Sequence, residues 1–127
     1  MSKGEIFTGE GEASEFLSLE PYTDFIEEKT GFQPYPGTLN LRMNEEEAQK
    51  IRDNAAKHRM EPVEHQGREL GGLTLYKAEV NGEECYIVQP DLTRYGEEVL
   101  EIVAPDNLRE KFDLEDGDCV KIEAKNR

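Results

Sequence analysis

A chain of 127 residues, 35% hydrophobic and 8% aromatic with no Trp, has the length of one domain and can bury one modest core. Acidic residues outnumber basic ones 29 to 15, and the net charge of −14 repels nucleic acid and anionic membrane, both of which require a basic footprint. The sequence has no apolar run long enough to span a bilayer and no basic–apolar–small signal pattern, so a soluble, cytoplasmic protein is expected.

Residues 2–8 mix apolar and polar positions and predict a short strand, which runs into a glycine-punctuated loop beginning at Gly9. A helix is expected from about residue 20 to 29. Pro21 suits its first turn, Thr30-Gly31 its stop, and Tyr22, Phe25 and Ile26 its core side. In "GTLNLRM" (37–43), Leu39, Leu41 and Met43 alternate with Thr38, Asn40 and Arg42, which is the period of a half-buried strand. "NEEEAQKIRDNAAKH" (44–58) predicts an exposed helix capped by Asn44, with Glu45, Glu46 and Glu47 at the positive end of its dipole. Hairpins follow, turning at Gln66-Gly67 and at Asn81-Gly82, the latter a type I′ signal. "EVLEIVAP" predicts a strand, "PDNLREKF" one or two helical turns, and "GDCVKIEAK" a closing strand. Short strands, two longer helices and no βαβ alternation predict a mainly β, α+β domain built like a barrel. Cys85 and Cys119 lie far apart and are expected to be reduced, and His58 and His65 lack a zinc-site partner pattern.

Three features carry chemistry. Thr38 and Asn40 fall on one side of a strand, roughly 7 Å apart along it. Their hydroxyl and amide oxygens are hard, neutral donors of the kind magnesium accepts when phosphates complete its shell, or else they are simply a polar strand surface. The lead-in Pro34-Tyr35-Pro36-Gly37 stiffens the backbone just ahead of them, as a preorganised site requires. The Gly9-x-Gly11 loop lets backbone approach a phosphate or base, but it lacks the third glycine and the βαβ unit of a dinucleotide fingerprint. Ala104-Pro105-Asp106 leads into a short helix whose N-terminus suits an anion, with Arg109 one turn inside.

Taken in order, "TGEGEASEFLSL" (8–19), "GFQPYPGTLNL" (31–41), "DLTRYGEEVLEIVAP" (91–105) and "NLREKFDLEDGDCVKI" (107–122) resemble the archaeal CTP-dependent riboflavin kinase family over nearly the whole chain. The resemblance is to the stand-alone form, without an N-terminal helix-turn-helix domain. It implies a compact six-stranded cradle-loop β-barrel with a few short helices. This single domain, residues 1–127, would transfer the γ-phosphate of CTP to the riboflavin 5′-hydroxyl, giving FMN and CDP. It further implies Mg2+ on Thr38 and Asn40, and nucleotide contacts from Glu10, Gly11, Glu12, Ala13, Ser14 and Glu15. A second nucleotide contact would come from Asp106, Asn107, Leu108 and Arg109, and flavin contacts from Thr93 and Glu101. Glu101 would act as general base or as a binder of the ribityl hydroxyls. A monomer is expected, with no nucleic-acid or membrane partner. The first loop departs from the family's Gly-x-Gly-Glu-Gly, usually followed by a basic residue and Tyr: Ala13, Ser14 and Glu15 stand in the last three places.

Overall fold

A computed structural model of the chain describes residues 2–9, 17–93 and 95–127. In chain order its elements are β1 (Ser2–Phe7), α1 (Glu20–Thr30), β2 (Leu39–Arg42), α2 (Glu45–Asn54), β3 (Lys57–Met60), β4 (Val63–His65), β5 (Arg68–Leu70), β6 (Leu73–Val80), β7 (Glu83–Pro90), β8 (Val99–Val103), α3 (Leu108–Phe112) and β9 (Cys119–Ala124). Six strands pair in the order β6-β7-β8-β2-β1-β9, and β9 returns to β6, which closes an antiparallel barrel. β3 extends the sheet from β6, and β4 with β5 forms a separate hairpin.

Alternation along the strands sorts the side chains into two clusters. Ile6, Leu39, Leu41, Ala78, Val80, Cys85, Ile87, Leu100, Ile102, Val120 and Ile122 come from all six barrel strands and fill its interior. Leu73, Leu75, Tyr86, Val88 and Val103 point the other way and are covered by Tyr22 and Ile26 of α1. The expected helix signals act as read. Pro21 sits in the first turn of α1, and Gly31 ends it at φ 80°, returning its N–H to Glu27. Asn44 Oδ1 accepts from the N–H groups of Glu46 and Glu47. Asn81 and Gly82 turn the β6–β7 hairpin at φ 50° and 84°.

The helix expected over residues 44–58 is shorter and less exposed than its composition suggests. It stops at Asn54, because Ala55 is extended and Ala56 is captured between strands: its N–H bonds to Lys125 and its carbonyl accepts from Lys77. Residues beyond it become β3. One face is buried through Ala48, Ile51 and Arg52. Cys85 is buried and Cys119 exposed, both as free thiols. Among the described residues no helix is long and apolar enough to cross a membrane.

Candidate active site

Strand β2 organises the site. Tyr35 N–H donates to the Ala104 carbonyl at 2.8 Å and Gly37 N–H to the Tyr35 carbonyl at 2.8 Å, so the proline-rich lead-in is pinned to the end of β8. Thr38 Oγ1 then donates to Asn40 Oδ1 at 2.8 Å. Asn40 is only 8% exposed, more buried than a half-solvated strand face would leave it. Its register partners explain the cover: Phe7 on β1 and Glu101 on β8 stand directly opposite it, on the same face. Gly9 closes the remaining side. A Cβ at Gly9 would lie 2.2 Å from Asn40 Nδ2 and 2.5 Å from the Tyr95 hydroxyl, so the backbone entering the first loop passes where only glycine fits. The edge of the Tyr95 ring meets Phe7 at 5.8 Å between centroids, and the Arg42 guanidinium stacks on the other residue of that pair, 4.3 Å from the Phe7 centroid.

Two clefts flank this strand. One is lined by Tyr35, Thr38, Ala104, Asp106, Asn107 and Arg109 among others. Here Asn107 caps α3, its Oδ1 accepting from Arg109 N–H at 3.1 Å and Glu110 N–H at 3.3 Å, and its Nδ2 donates to the Tyr35 hydroxyl at 3.2 Å. Those two backbone donors of the helix N-terminus are thus spent on the cap. Arg109 is tied to Asp116 at 2.6 Å, and Thr8 Oγ1 donates to the same carboxylate at 2.7 Å. The Thr8 hydroxyl first, and then Arg109, hold the Asp116 carboxyl below its ordinary pKa. Asp106 pairs with Lys111 at 3.2 Å.

The second cleft contains Thr93 and Glu101. The β7–β8 ladder pairs Tyr86 with Val103, Ile87 with Ile102 and Val88 with Glu101, after which β7 continues to Pro90. The strands part there, and the cleft occupies the gap. Thr93 Oγ1 donates to Glu101 Oε1 at 3.3 Å and accepts from Tyr95 N–H at 3.3 Å. Two arginine forks hold the ends of the connecting loop, residues 91–98. Arg59 grips Asp91 through two bonds of 2.6 and 2.7 Å. Arg52, reaching from α2, donates to the carbonyls of Glu97 and Val99, each at 2.9 Å. Arg52 is 4% exposed; burial pulls its pKa down from the ordinary value, against the pull of Tyr76 and Glu97.

The sequence-derived residues therefore converge. Thr38 and Asp106 to Arg109 share one cleft, Thr93 and Glu101 the other, and Asn40 stands between them. Glu10, Gly11, Glu12, Ala13, Ser14 and Glu15 lie outside the described residues. Thr38 and Asn40 also fit a magnesium ion chemically: two neutral oxygens within 2.8 Å of each other suit a hard cation that retains water and takes further oxygens from phosphate.

A family model labelled CTP-dep_RFKase, with the description domain of unknown function DUF120, matches residues 6–124. The chain belongs to this family. It is 43% identical to a riboflavin kinase of Archaeoglobus fulgidus over 123 residues, covering 95% of this chain and 53% of that protein. It is 37% identical to a riboflavin kinase of Pyrobaculum aerophilum, covering 94% of this chain and 58% of that one. With a riboflavin kinase of Methanopyrus kandleri the identity is 38%, over 94% of this chain and 80% of the relative. The chain thus spans a little over half the length of the first two relatives.

Membership in the family does not by itself reveal Arg52, Gln89 or Tyr95, which complete the walls of the second cleft. A signal for Arg52 exists in the sequence. Ala48, Ile51, Arg52 and Ala55 follow the i, i+3, i+4, i+7 spacing of a core-facing stripe, so the arginine occupies a position that periodicity assigns to the interior. Gln89 and Tyr95 carry no comparable local pattern.

Proposed function

We propose that this chain is a riboflavin kinase that transfers the γ-phosphate of CTP to the 5′-hydroxyl of riboflavin, yielding FMN and CDP. One observation carries the reading: Asn40 and Glu101 face each other across β2 and β8, between one cleft lined by Thr38 and Arg109 and another lined by Thr93 and Glu101. Transfer of a phosphoryl group requires that donor and acceptor meet in line, with little covalent chemistry from the protein. The names of the relatives support riboflavin as acceptor, and the label of the family supports CTP as donor.

Thr38 and Asn40 would hold magnesium, which when bound neutralises phosphate charge. The nucleotide lies against Asp106, Asn107, Leu108 and Arg109 and the loop that begins at Gly9. Arg109, steadied by Asp116, contributes positive charge near the phosphates. Glu101, oriented by the Thr93 hydroxyl, accepts a hydrogen bond from the ribityl chain and takes the proton of the attacking 5′-hydroxyl.

The test is incubation with riboflavin, magnesium and each of CTP, ATP, GTP and UTP in turn, followed by chromatographic separation of FMN. FMN is expected to form fastest with CTP. Riboflavin binding without FMN from any nucleotide would reduce the protein to a flavin-binding module.

A further inference from the structure

Asp116 lines neither cleft, yet it is tied to Arg109, which does, and to Thr8, at the end of β1 where the first loop departs. It sits in the turn between α3 and β9, and backbone hydrogen bonds fix that turn on two sides. Toward α3, Leu114 N–H donates to the Arg109 carbonyl at 2.8 Å. Toward β1, Gly117 N–H donates to the Ile6 carbonyl and Ile6 N–H to the Asp118 carbonyl, each at 2.8 Å. Within the turn, Glu115 N–H donates to Asp118 Oδ2 at 2.8 Å. The place of Asp116 is therefore set by backbone. Its Oδ1 accepts from Arg109 Nη2 at 2.6 Å and its Oδ2 from the Thr8 hydroxyl at 2.7 Å. Arg109 Nη2 also reaches Thr8 Oγ1 at 3.4 Å, which closes a ring of three side chains.

The ring is open to solvent: the Arg109 side chain is 32% exposed and that of Asp116 55%. Exposed ion pairs add little to stability. What this one fixes is position. Thr8 directly precedes Gly9, whose backbone passes against Asn40. Arg109 lines the first cleft, and its Nε and Nη1 make no hydrogen bond among the described residues. An arginine already held by one nitrogen loses less rotamer freedom when the others meet a ligand.

We propose that Asp116 is a positioning residue for the nucleotide, an inference that rests on the nucleotide lying in the first cleft. One carboxylate holds Arg109 and the start of the first loop at a fixed separation, so both are in place before the nucleotide arrives. Bare electrostatics points the other way. An acid beside a phosphate site, in a chain of net charge −14, repels the incoming anion, and its removal by charge alone tightens binding. Acting through Arg109 and Thr8, Asp116 instead strengthens binding, and its removal frees both partners and weakens it. The sign of the change therefore separates positioning from charge.

Calorimetric titration of the intact protein with magnesium–CTP, beside fluorescence titration with riboflavin, tests this. Asp116→Asn keeps an acceptor oxygen and the shape but not the charge, and should bind magnesium–CTP at least about threefold more weakly. Asp116→Ala keeps neither and should lose about tenfold. Riboflavin affinity should stay within about twofold in both, and kcat at saturating CTP within about threefold, so that the loss falls on KM for CTP. In a Thr8→Val/Arg109→Ala background Asp116 has nothing left to act through, and Asp116→Ala should no longer weaken CTP binding. Unchanged or tighter CTP binding by both Asp116 variants, their folds checked by circular dichroism, overturns the positioning role and leaves the kinase reading intact. So does an undiminished loss in the Thr8→Val/Arg109→Ala background, or an equal loss of affinity for CTP and riboflavin. Wild-type protein that binds no magnesium–CTP removes the kinase reading and the positioning role together.

Discussion

Asn40 and Glu101 stand directly opposite one another on β2 and β8, so an amide suited to a metal ion and a carboxylate suited to a proton share one face of the barrel. Directly opposed side chains in an antiparallel pair lie about 5 Å apart at Cβ, close enough to act on one reacting group. Asn40→Ala should reduce FMN formation by two orders of magnitude or more with an unchanged unfolding temperature within a few degrees. A folded Asn40→Ala protein that forms FMN at the wild-type rate would exclude the amide as a ligand.

Gly9 presses on both sides of this arrangement. In Gly9→Ala the new methyl must displace the Asn40 amide or the Tyr95 hydroxyl, and overpacking of this kind typically costs about 1–3 kcal/mol. Turnover is expected to fall at least tenfold. Gly82→Ala provides the control, since its φ of 84° strains an alanine by about 1 kcal/mol in open space at the far hairpin. Loss of stability in both variants with loss of activity only at Gly9 is the expected pattern. Equal activity in the two would show that the loop tolerates the methyl.

Asp116 links stability to pH. Its carboxyl is held below the ordinary 3.8 by the Thr8 hydroxyl and Arg109, so the fold favours the charged form. The stabilisation is complete above the unfolded value, near pH 4, and is lost as pH falls through the lower folded value. In urea denaturation, wild type should therefore exceed Asp116→Asn at pH 7, and the difference should shrink once the pH drops below about 4. A difference independent of pH down to acid unfolding would contradict the assignment.

The two thiols should separate cleanly. Burial pushes the Cys85 pKa up to about 12, whereas Cys119 is exposed. An aromatic disulfide reagent at pH 8 should titrate Cys119 promptly in the native protein and Cys85 only after denaturant is added. Rapid reaction of Cys85 in the absence of denaturant would mean that the barrel opens readily between β6 and β7.

The charge of −14 should slow the approach of an anionic nucleotide. At about 0.01 M salt the Debye length is roughly 30 Å, larger than the domain's radius, and at 1 M it is roughly 3 Å. The association rate of magnesium–CTP should rise with KCl from low to moderate concentration, with riboflavin nearly insensitive, as measured by stopped flow at saturating magnesium. A CTP rate that falls steadily with salt would show that local positive charge outweighs the net field.

Much of the fold was legible because its signals are local. Asn44 announces a cap, Asn81-Gly82 a type I′ turn, and the alternation around Leu39 and Leu41 a strand. The elements predict a barrel-like domain, but the strands that close it are not legible from the pattern, because the pairing of β6 with β9 joins residues far apart in the chain; the count of six strands follows from the family resemblance. The site divides in the same way. Residue type and spacing mark Thr38 and Asn40 as candidates, whereas the position of Glu101 beside Asn40 is a matter of register that no local pattern encodes. Arg52 was passed over because its charge argued for solvent, although its helical position argued for the interior.

The strand β8 also works as a ruler. It delivers Glu101 to one cleft and, through Ile102 and Ala104, runs on into the lining of the other, advancing about 3.3 Å per residue. The two clefts are therefore spaced by a count of residues and not by a flexible hinge. One residue inserted between Glu101 and Val103 would reverse the facing of one side of the strand relative to the other and break the spacing of the two clefts, whereas an insertion at the Asn81-Gly82 turn would lengthen a distant hairpin and leave the measure untouched. Chain length is thus fixed between the two clefts and free at the hairpin far from them.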